Sequence, residues 1–179
     1  KRCWKMPSIE IKKASIEKLL QLQKISIETF LETYAAVNSE ENMAKYLAER
    51  FSLEKLATEL CDTHTEFYFA CINSQIIGYL KLNFAQSQTE LQDDNSLEIE
   101  RIYVLKEFHG KKIGQLFYEK AIQIARQNNL EFIWLGVWEE NHRALNFYKK
   151  NGFLEFGKHI FKLGNEDQVD LMMKLKLTN

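Results

Sequence analysis

The sequence predicts an α/β domain built on a mixed, mostly antiparallel sheet of six or seven strands flanked by helices. Three observations predict it. Residues 67–72 and 76–84 are rich in β-branched and aromatic side chains and are separated by Asn73-Ser74, a hairpin signal. Residues 153–163 and 169–177 repeat the pattern around Gly164-Asn165. Between these hairpins, a strand at 97–104, an amphipathic helix at 112–128 and a strand at 132–138 form one βαβ unit, whose crossover is right-handed as a rule.

The elements follow in order. Ile9 and Ile11 alternate with polar residues and predict a short first strand. Ser15 then caps a helix to about Tyr34, with Leu19, Leu22, Ile25 and Ile27 recurring near the helical period. Asn38 with Glu41 three residues on resembles a capping box and predicts a second helix. A third helix follows Ser52. After the first hairpin, residues 85–96 are polar and acidic and predict a loop. In the helix at 112–128, Ile113, Leu116, Phe117, Ala121 and Ile124 share one face. The strand at 132–138 is largely apolar, as a strand buried on both faces must be. The last helix runs from Asn141 to Asn151 and stops at Gly152.

Composition removes several function classes. A chain of 179 residues without repeat or linker suits a single domain, residues 1–179. The net charge of -1 offers no basic field to nucleic acid. No apolar run approaches the roughly 18 residues of a membrane helix, so no membrane partner is expected. Cys3, Cys61 and Cys71 are odd in number and widely spaced, and His64, His109, His142 and His159 lack ligand spacing, so no metal is expected. Residues 1–7 carry charges and Trp4 but no apolar signal core, which predicts a cytoplasmic location.

The informative segment is 98–153. It contains Ile102-Tyr103-Val104, then His109-Gly110-Lys111-Lys112-Ile113-Gly114, then Asn141-x-x-Ala144-x-x-Phe147-Tyr148-x-Lys150-x-Gly152-Phe153. A helix start presents unpaired N–H groups and the positive end of a dipole, and glycines let backbone approach an anion closely. In these residues the sequence resembles the GNAT acetyltransferase superfamily. The resemblance implies a sheet splayed between its fourth and fifth strands, with acetyl-coenzyme A as cosubstrate. It implies that His109, Gly110, Lys111, Lys112, Ile113, Gly114 and Gln115 hold the pyrophosphate. Ile102, Tyr103 and Val104 then bond the pantetheine in strand-like fashion. Two positions depart from the family pattern: His109 stands where Arg or Gln is usual, and Lys112 where the middle glycine is usual.

Asn141, Ala144, Leu145 and Tyr148 stand at i, i+3, i+4 and i+7, on one helix face. By resemblance, Asn141 contacts the pantetheine arm, Tyr148 is the general acid for the leaving thiolate, and Lys150 lies near the phosphates. The plain alternatives are that Asn141 is only a helix cap and Tyr148 only a core aromatic. Glu98 and Glu100 precede the phosphate turn on a strand, where alternation puts both on one face unless a bulge intervenes. Glu100 is the candidate base for the cationic acceptor, directly or through water. The alternative is that both carboxylates are solvent-facing or partners of Arg101.

Within the superfamily the chain looks like the bacterial spermine/spermidine N-acetyltransferases. The resemblance is carried by Ile27-Glu28-Thr29-Phe30, by 97–103, by Ile133-Trp134-Leu135-Gly136-Val137-Trp138-Glu139 and by Phe147-Tyr148-Lys149-Lys150. It implies a small cationic amine as acceptor. Glu28 and Glu32 lie one turn apart on the first helix, and Glu98, Glu100 and Glu139 could add to an acidic lining. Tyr34 and Trp138 could hold an alkylammonium chain. Other readings stay open: acetylation of protein N-termini or lysines, or a coenzyme A-binding regulatory protein with little catalysis. A homodimer is the assembly to test.

Overall fold

The computed structural model describes residues 8–163 and 166–177. The turn expected at Gly164-Asn165, and Cys3 and Trp4, lie outside the described residues. Among the described residues seven strands form one sheet: β1 (Ile9–Lys13), β2 (Thr65–Ile72), β3 (Gln75–Phe84), β4 (Ser96–Val104), β5 (Phe132–Trp138), β6 (Leu154–Leu163) and β7 (Glu166–Lys176). Their order is β1-β2-β3-β4-β5-β7-β6. Every neighbouring pair is antiparallel except β4 and β5. Asn73 and Ser74 both adopt positive φ, 47° and 69°, so the β2–β3 hairpin turns as its sequence predicts.

Five α-helices cover the sheet: α1 (Leu19–Tyr34), α2 (Glu40–Arg50), α3 (Leu53–Cys61), α4 (Ile113–Gln127) and α5 (His142–Lys150). The cap of α2 differs from expectation by one residue. Ser39, not Asn38, accepts from the Asn42 N–H at 3.2 Å, while Asn38 Nδ2 donates back to the Tyr34 carbonyl at 2.9 Å. An Asx side chain serves either end of a helix, and here the preceding helix claims it.

The sheet separates two cores. On one face Leu80, Leu82, Leu97, Ile99, Ile133 and Leu135 pack against Phe117 and Ala121 of α4 and Leu145 and Tyr148 of α5. On the other, Phe67, Phe69 and Tyr79 pack against Leu22, Ile25 and Phe30 of α1, Met43 and Tyr46 of α2, and Leu56 of α3.

Two features of β4 position the site. The parallel contact with β5 covers only Ser96↔Phe132, Leu97↔Ile133 and Glu98↔Trp134. Beyond it the strands part, as the resemblance implied. Against β3 the register steps from Leu82↔Ile99 to Lys81↔Arg101, so Glu100 is an unmatched residue in a bulge. As a result Ile99 belongs to the α4 core, while Glu100 and Arg101 both lie among the polar groups on the helix α1–α3 side. Ile102 and Val104 then return to the α4 face and Tyr103 to the other.

Candidate active site

A cavity of about 840 Å³ opens where β4 and β5 diverge. β4 contributes Ile102, Tyr103 and Val104; the following loop contributes Lys106, Phe108, His109, Gly110 and Lys112. The start of α4 adds Ile113, Gly114 and Gln115, and α5 with its cap adds Asn141, Arg143, Ala144, Phe147, Tyr148 and Lys150. Glu32 and Thr33 of α1 and Asn151 complete the wall. Thus residues expected at the cofactor from three separate segments line one cavity.

The α4 end presents free backbone donors to the cavity. Leu116 is the first residue of the turn to donate within it, to the Lys112 carbonyl at 3.2 Å, so Ile113, Gly114 and Gln115 present N–H groups without a helical acceptor. Gly110 adopts φ +78° and nothing lies within 4 Å of an added Cβ there, so its glycine serves backbone conformation. A Cβ at Gly114 would meet only the Phe147 ring, at 3.8 and 3.9 Å. The fold therefore has room for a side chain at Gly114, and it is the cavity that stays clear by its absence. Lys112, at the glycine position of the family pattern, adopts the left-handed conformation, φ 62° and ψ 17°. A lysine occupies backbone suited to glycine.

Two expected anion contacts differ. Lys111 does not line the cavity; its ammonium sits 4.6 Å from the Phe108 ring centroid, drawn by the electron-rich face. The His109 ring is engaged within the protein: Nε2 bonds the Val104 carbonyl at 2.7 Å and Nδ1 meets the Arg143 guanidinium. Burial lowers its pKa, and the neighbouring Arg143 charge lowers it further. His109 thus ties the end of β4 to the phosphate turn and to α5. Arg143 and Lys106, both lining the cavity, escaped sequence reasoning; basic residues on the loop and in the first turn of α5 were the available signal.

Asn141 has both properties weighed for it. Its Oδ1 caps α5 by accepting from the Ala144 N–H at 3.2 Å, and it lines the cavity, so what it offers a ligand is its amide N–H2. Tyr148 is buried yet lines the cavity. Burial, then the adjacent Tyr34, raise its pKa, so the phenol stays protonated at neutral pH. The Tyr103 hydroxyl donates to that of Tyr34 at 3.4 Å, and Trp138 lies 5.7 Å from Tyr34, ring to ring. Burial pushes the Tyr34 pKa up to about 12.

The carboxylates behave differently from expectation. Glu100 Oε2 receives Lys81 Nζ and Asn83 Nδ2, both at 2.6 Å, and Oε1 receives Arg101 at 3.0 Å. Burial alone would raise its pKa, but the Lys81 and Arg101 charges outweigh burial and hold the carboxyl well below the usual carboxylate range. Glu100 does not line the cavity. The expectation of Glu100 as catalytic base is therefore corrected: it is a partner of Arg101, the alternative its sequence context allowed, and its lone pairs are already occupied. Glu98 is buried and bonded to Asn83 at 2.9 Å, to the Thr89 N–H at 2.8 Å and to the Thr89 hydroxyl. Burial, then Glu100, raise its pKa.

The acidic lining is not assembled either. Glu32 lines the cavity but its Oε2 accepts from the Lys106 N–H at 2.8 Å, pinning α1 to the loop. Glu28 is exposed and Glu139 half-buried, and neither lines the cavity. Among the described residues no group of three or more His, Cys, Asp or Glu side chains is placed to hold a metal, and no helix is long and apolar enough to cross a membrane.

Comparison with known proteins agrees with this geometry. A family model described as the acetyltransferase (GNAT) family matches residues 21–153. An N-acetyltransferase from the pepI 3′ region of Lactobacillus delbrueckii subsp. lactis is 38% identical over 172 residues, 96% of this chain and 99% of that one. The spermidine N(1)-acetyltransferase of Thermoplasma acidophilum is 31% identical over 173 residues, 94% of this chain and 98% of that one. Among solved structures, the PaiA N-acetyltransferase of Thermoplasma acidophilum in complex with coenzyme A superposes with a TM-score of 0.78 at 30% identity, over 95% of this chain and 99% of that one. With the divided strands, the phosphate-type turn and the α5 tyrosine on one cavity, the chain belongs to the GNAT family of N-acetyltransferases.

Proposed function

We propose that this N-acetyltransferase moves the acetyl group of acetyl-coenzyme A to a primary amine of a small polyamine, spermidine or spermine in kind, by direct attack in a ternary complex. The observation that carries the reading is the cavity itself: backbone donors and cations at the α4 end, with Tyr103 and Tyr148 in the same wall and Tyr34 bonded to Tyr103 behind it. The α4 end suits a pyrophosphate, with N–H donors from Ile113 to Gln115 and the cations Lys106, Lys112, Arg143 and Lys150 around it. The parted edge of β4 suits the strand-like pantetheine. The 31% identity to a spermidine N(1)-acetyltransferase supports the amine class.

The steps follow from these residues. The neutral amine attacks the thioester carbon, the C–N bond forms and the C–S bond breaks. A backbone N–H near Ile102–Tyr103, on the β4 edge that β5 has left, stabilises the developing oxyanion. Tyr148 gives its proton to the leaving thiolate. An acyl-enzyme is not required: Cys61 is exposed and Cys71 buried in the α1–α3 core, and neither lines the cavity.

The test is steady-state release of free coenzyme A over a panel of spermidine, spermine, monoamines, a lysine peptide and a peptide with a free N-terminus. The expected result is the largest kcat/KM for the polyamines. A peptide preferred over every polyamine would replace this reading with protein acetylation, and no release with any acceptor would favour a regulatory coenzyme A-binding role.

A further inference from the structure

The segment Trp134-Leu135-Gly136-Val137-Trp138 has a role that the cofactor cavity does not absorb. Leu135 and Val137 face the α4 core, whereas Trp138 packs with the α1–α3 side. By strand alternation Trp134 and Gly136 share the side of Trp138. Gly136 therefore interrupts a row of indoles. An added Cβ there would stand 3.4 Å from Asp170 Oδ2 and 3.6 Å from His159 Cε1, so two polar side chains border the space above the glycine. Both come from the C-terminal hairpin: Asp170 is opposite Trp138 on β7, and His159 is opposite Asp170 on β6.

We propose that Asp170 is the carboxylate that receives the acceptor ammonium over Gly136 and takes its proton before attack. The inference rests on the amine-acetylation reading above. Its basis is that the candidate carboxylates of β4 and the cavity wall are already engaged. Both oxygens of Glu98 and of Glu100 are occupied by donors, and Glu32 accepts from Lys106. Among the described residues no hydrogen-bond donor meets the Asp170 carboxylate, which is half-buried. Trp138, opposite it on β5, packs against Tyr34, whose hydroxyl accepts from that of Tyr103 in the cavity wall, so Asp170 lies outside the cofactor cavity on the side of the sheet that carries these rings. Trp138 and Tyr34, 5.7 Å apart, offer ring faces to an alkylammonium chain beside it.

The chemistry balances. The ammonium gives one proton to the Asp170 carboxylate, making a carboxylic acid and a neutral amine. The amine forms the C–N bond and the C–S bond breaks. The second nitrogen proton replaces the one that Tyr148 gives to the thiolate, and Asp170 returns its proton to solvent, leaving amide, thiol and one released proton.

Burial pushes Asp170 up to about 6, against the lowering by His159. A carboxylate in that range is a better base than one held low by two cations. The titratable groups within electrostatic reach of it are His159 on β6, with Glu90 3.8 Å from the His159 ring; Tyr34 on α1; and Tyr46 on α2.

The experiment compares wild type, Asp170→Asn, His159→Gln and Gly136→Ala on whichever panel amine the wild type acetylates best. Asp170→Asn is expected to lower kcat/KM for the amine by roughly 10²–10⁴-fold. It should remove the acidic limb near pH 6, regain activity toward alkaline pH as free amine accumulates, and bind coenzyme A as wild type does. His159→Gln should keep that limb. Gly136→Ala adds a methyl group that projects into the space before Asp170, 3.4 Å from its Oδ2, and should raise KM for the amine more than it lowers kcat. An Asp170→Asn enzyme with wild-type turnover and pH profile, or a limb that disappears with His159 instead, overturns the role of Asp170 alone. A wild type that acetylates no amine overturns the functional reading, and this role with it. If Asp170→Asn fails to fold, an unchanged amine KM in Gly136→Ala overturns the site.

Discussion

The Lys81 ammonium lies 2.6 Å from the Glu100 carboxylate, across neighbouring strands and almost out of solvent. Glu59 of α3 reaches the same ammonium at 3.0 Å, so two strands and a helix converge on one cation. Removing the Glu100 charge leaves Lys81 and Arg101 short of a counter-ion in the core, and breaking a buried pair in this way costs about 3–5 kcal/mol. Glu100→Gln is therefore expected to lower the unfolding free energy by about that amount, measured by urea denaturation. The pH profile of turnover should keep its shape; loss of its acidic limb in a folded Glu100→Gln enzyme would restore Glu100 as base.

The sign of the same interaction sets an acid dependence. The folded-state pKa of Glu100 lies below its unfolded value, so the stabilisation is fully present above the usual glutamate pKa, about 4.3, and is lost as pH falls through the depressed value. Wild type should thus lose stability progressively below about pH 4, and Glu100→Gln should show a flatter decline there by thermal denaturation.

Tyr148→Phe removes a hydroxyl and keeps a ring packed against Phe147 and Phe153 at centroid distances of 5.3 and 5.5 Å. Burial raises the phenol pKa, and the same poorly solvated surroundings raise the proton affinity of a departing thiolate, so transfer between them stays matched. Turnover is expected to fall roughly 10²–10⁴-fold with coenzyme A affinity nearly unchanged. Wild-type turnover where chemistry limits the rate would reduce Tyr148 to a core aromatic.

Gly114→Val separates fold from ligand. The added Cβ meets only the Phe147 ring, at ordinary van der Waals distance, so a small change in the unliganded melting temperature is expected. Losing one backbone bond to a charged phosphate, about 1.5–3 kcal/mol, weakens binding by roughly 10–150-fold. Calorimetry with coenzyme A checks it.

Lys112→Gly relieves a left-handed lysine. The strain is about 1–2 kcal/mol, partly offset by the freer unfolded chain, so a gain of about 1 kcal/mol and a rise of about 2–4 °C in Tm are expected. Coenzyme A affinity should fall, because a cation leaves the cavity wall. Affinity at or above wild type would show that only the backbone of residue 112 serves the phosphates.

Much of this was legible because it is local. The i, i+7 spacing of Asn141 and Tyr148 gives a helix face, and the Asn73-Ser74 pair gives a turn, whatever the rest of the chain does. Glu100 was misread because its role depends on Lys81, Asn83 and Glu59 from two other elements, and on a bulge that no single residue type announces. Asp170 carries no local signature at all. Its environment is set by Gly136 and Trp138 on one neighbouring strand and His159 on the other.

The bulge at Glu100 makes β4 two strands of opposite parity joined end to end. A chain that counts in twos changes its count there, and everything after it inherits the change. A strand that alternated regularly through Glu100 would turn the next residues over: Tyr103 would face α4, and Ile102 and Val104 would face α1. The bulge, rather than any one side chain, thus decides which side chains of β4 face α4 and which face α1.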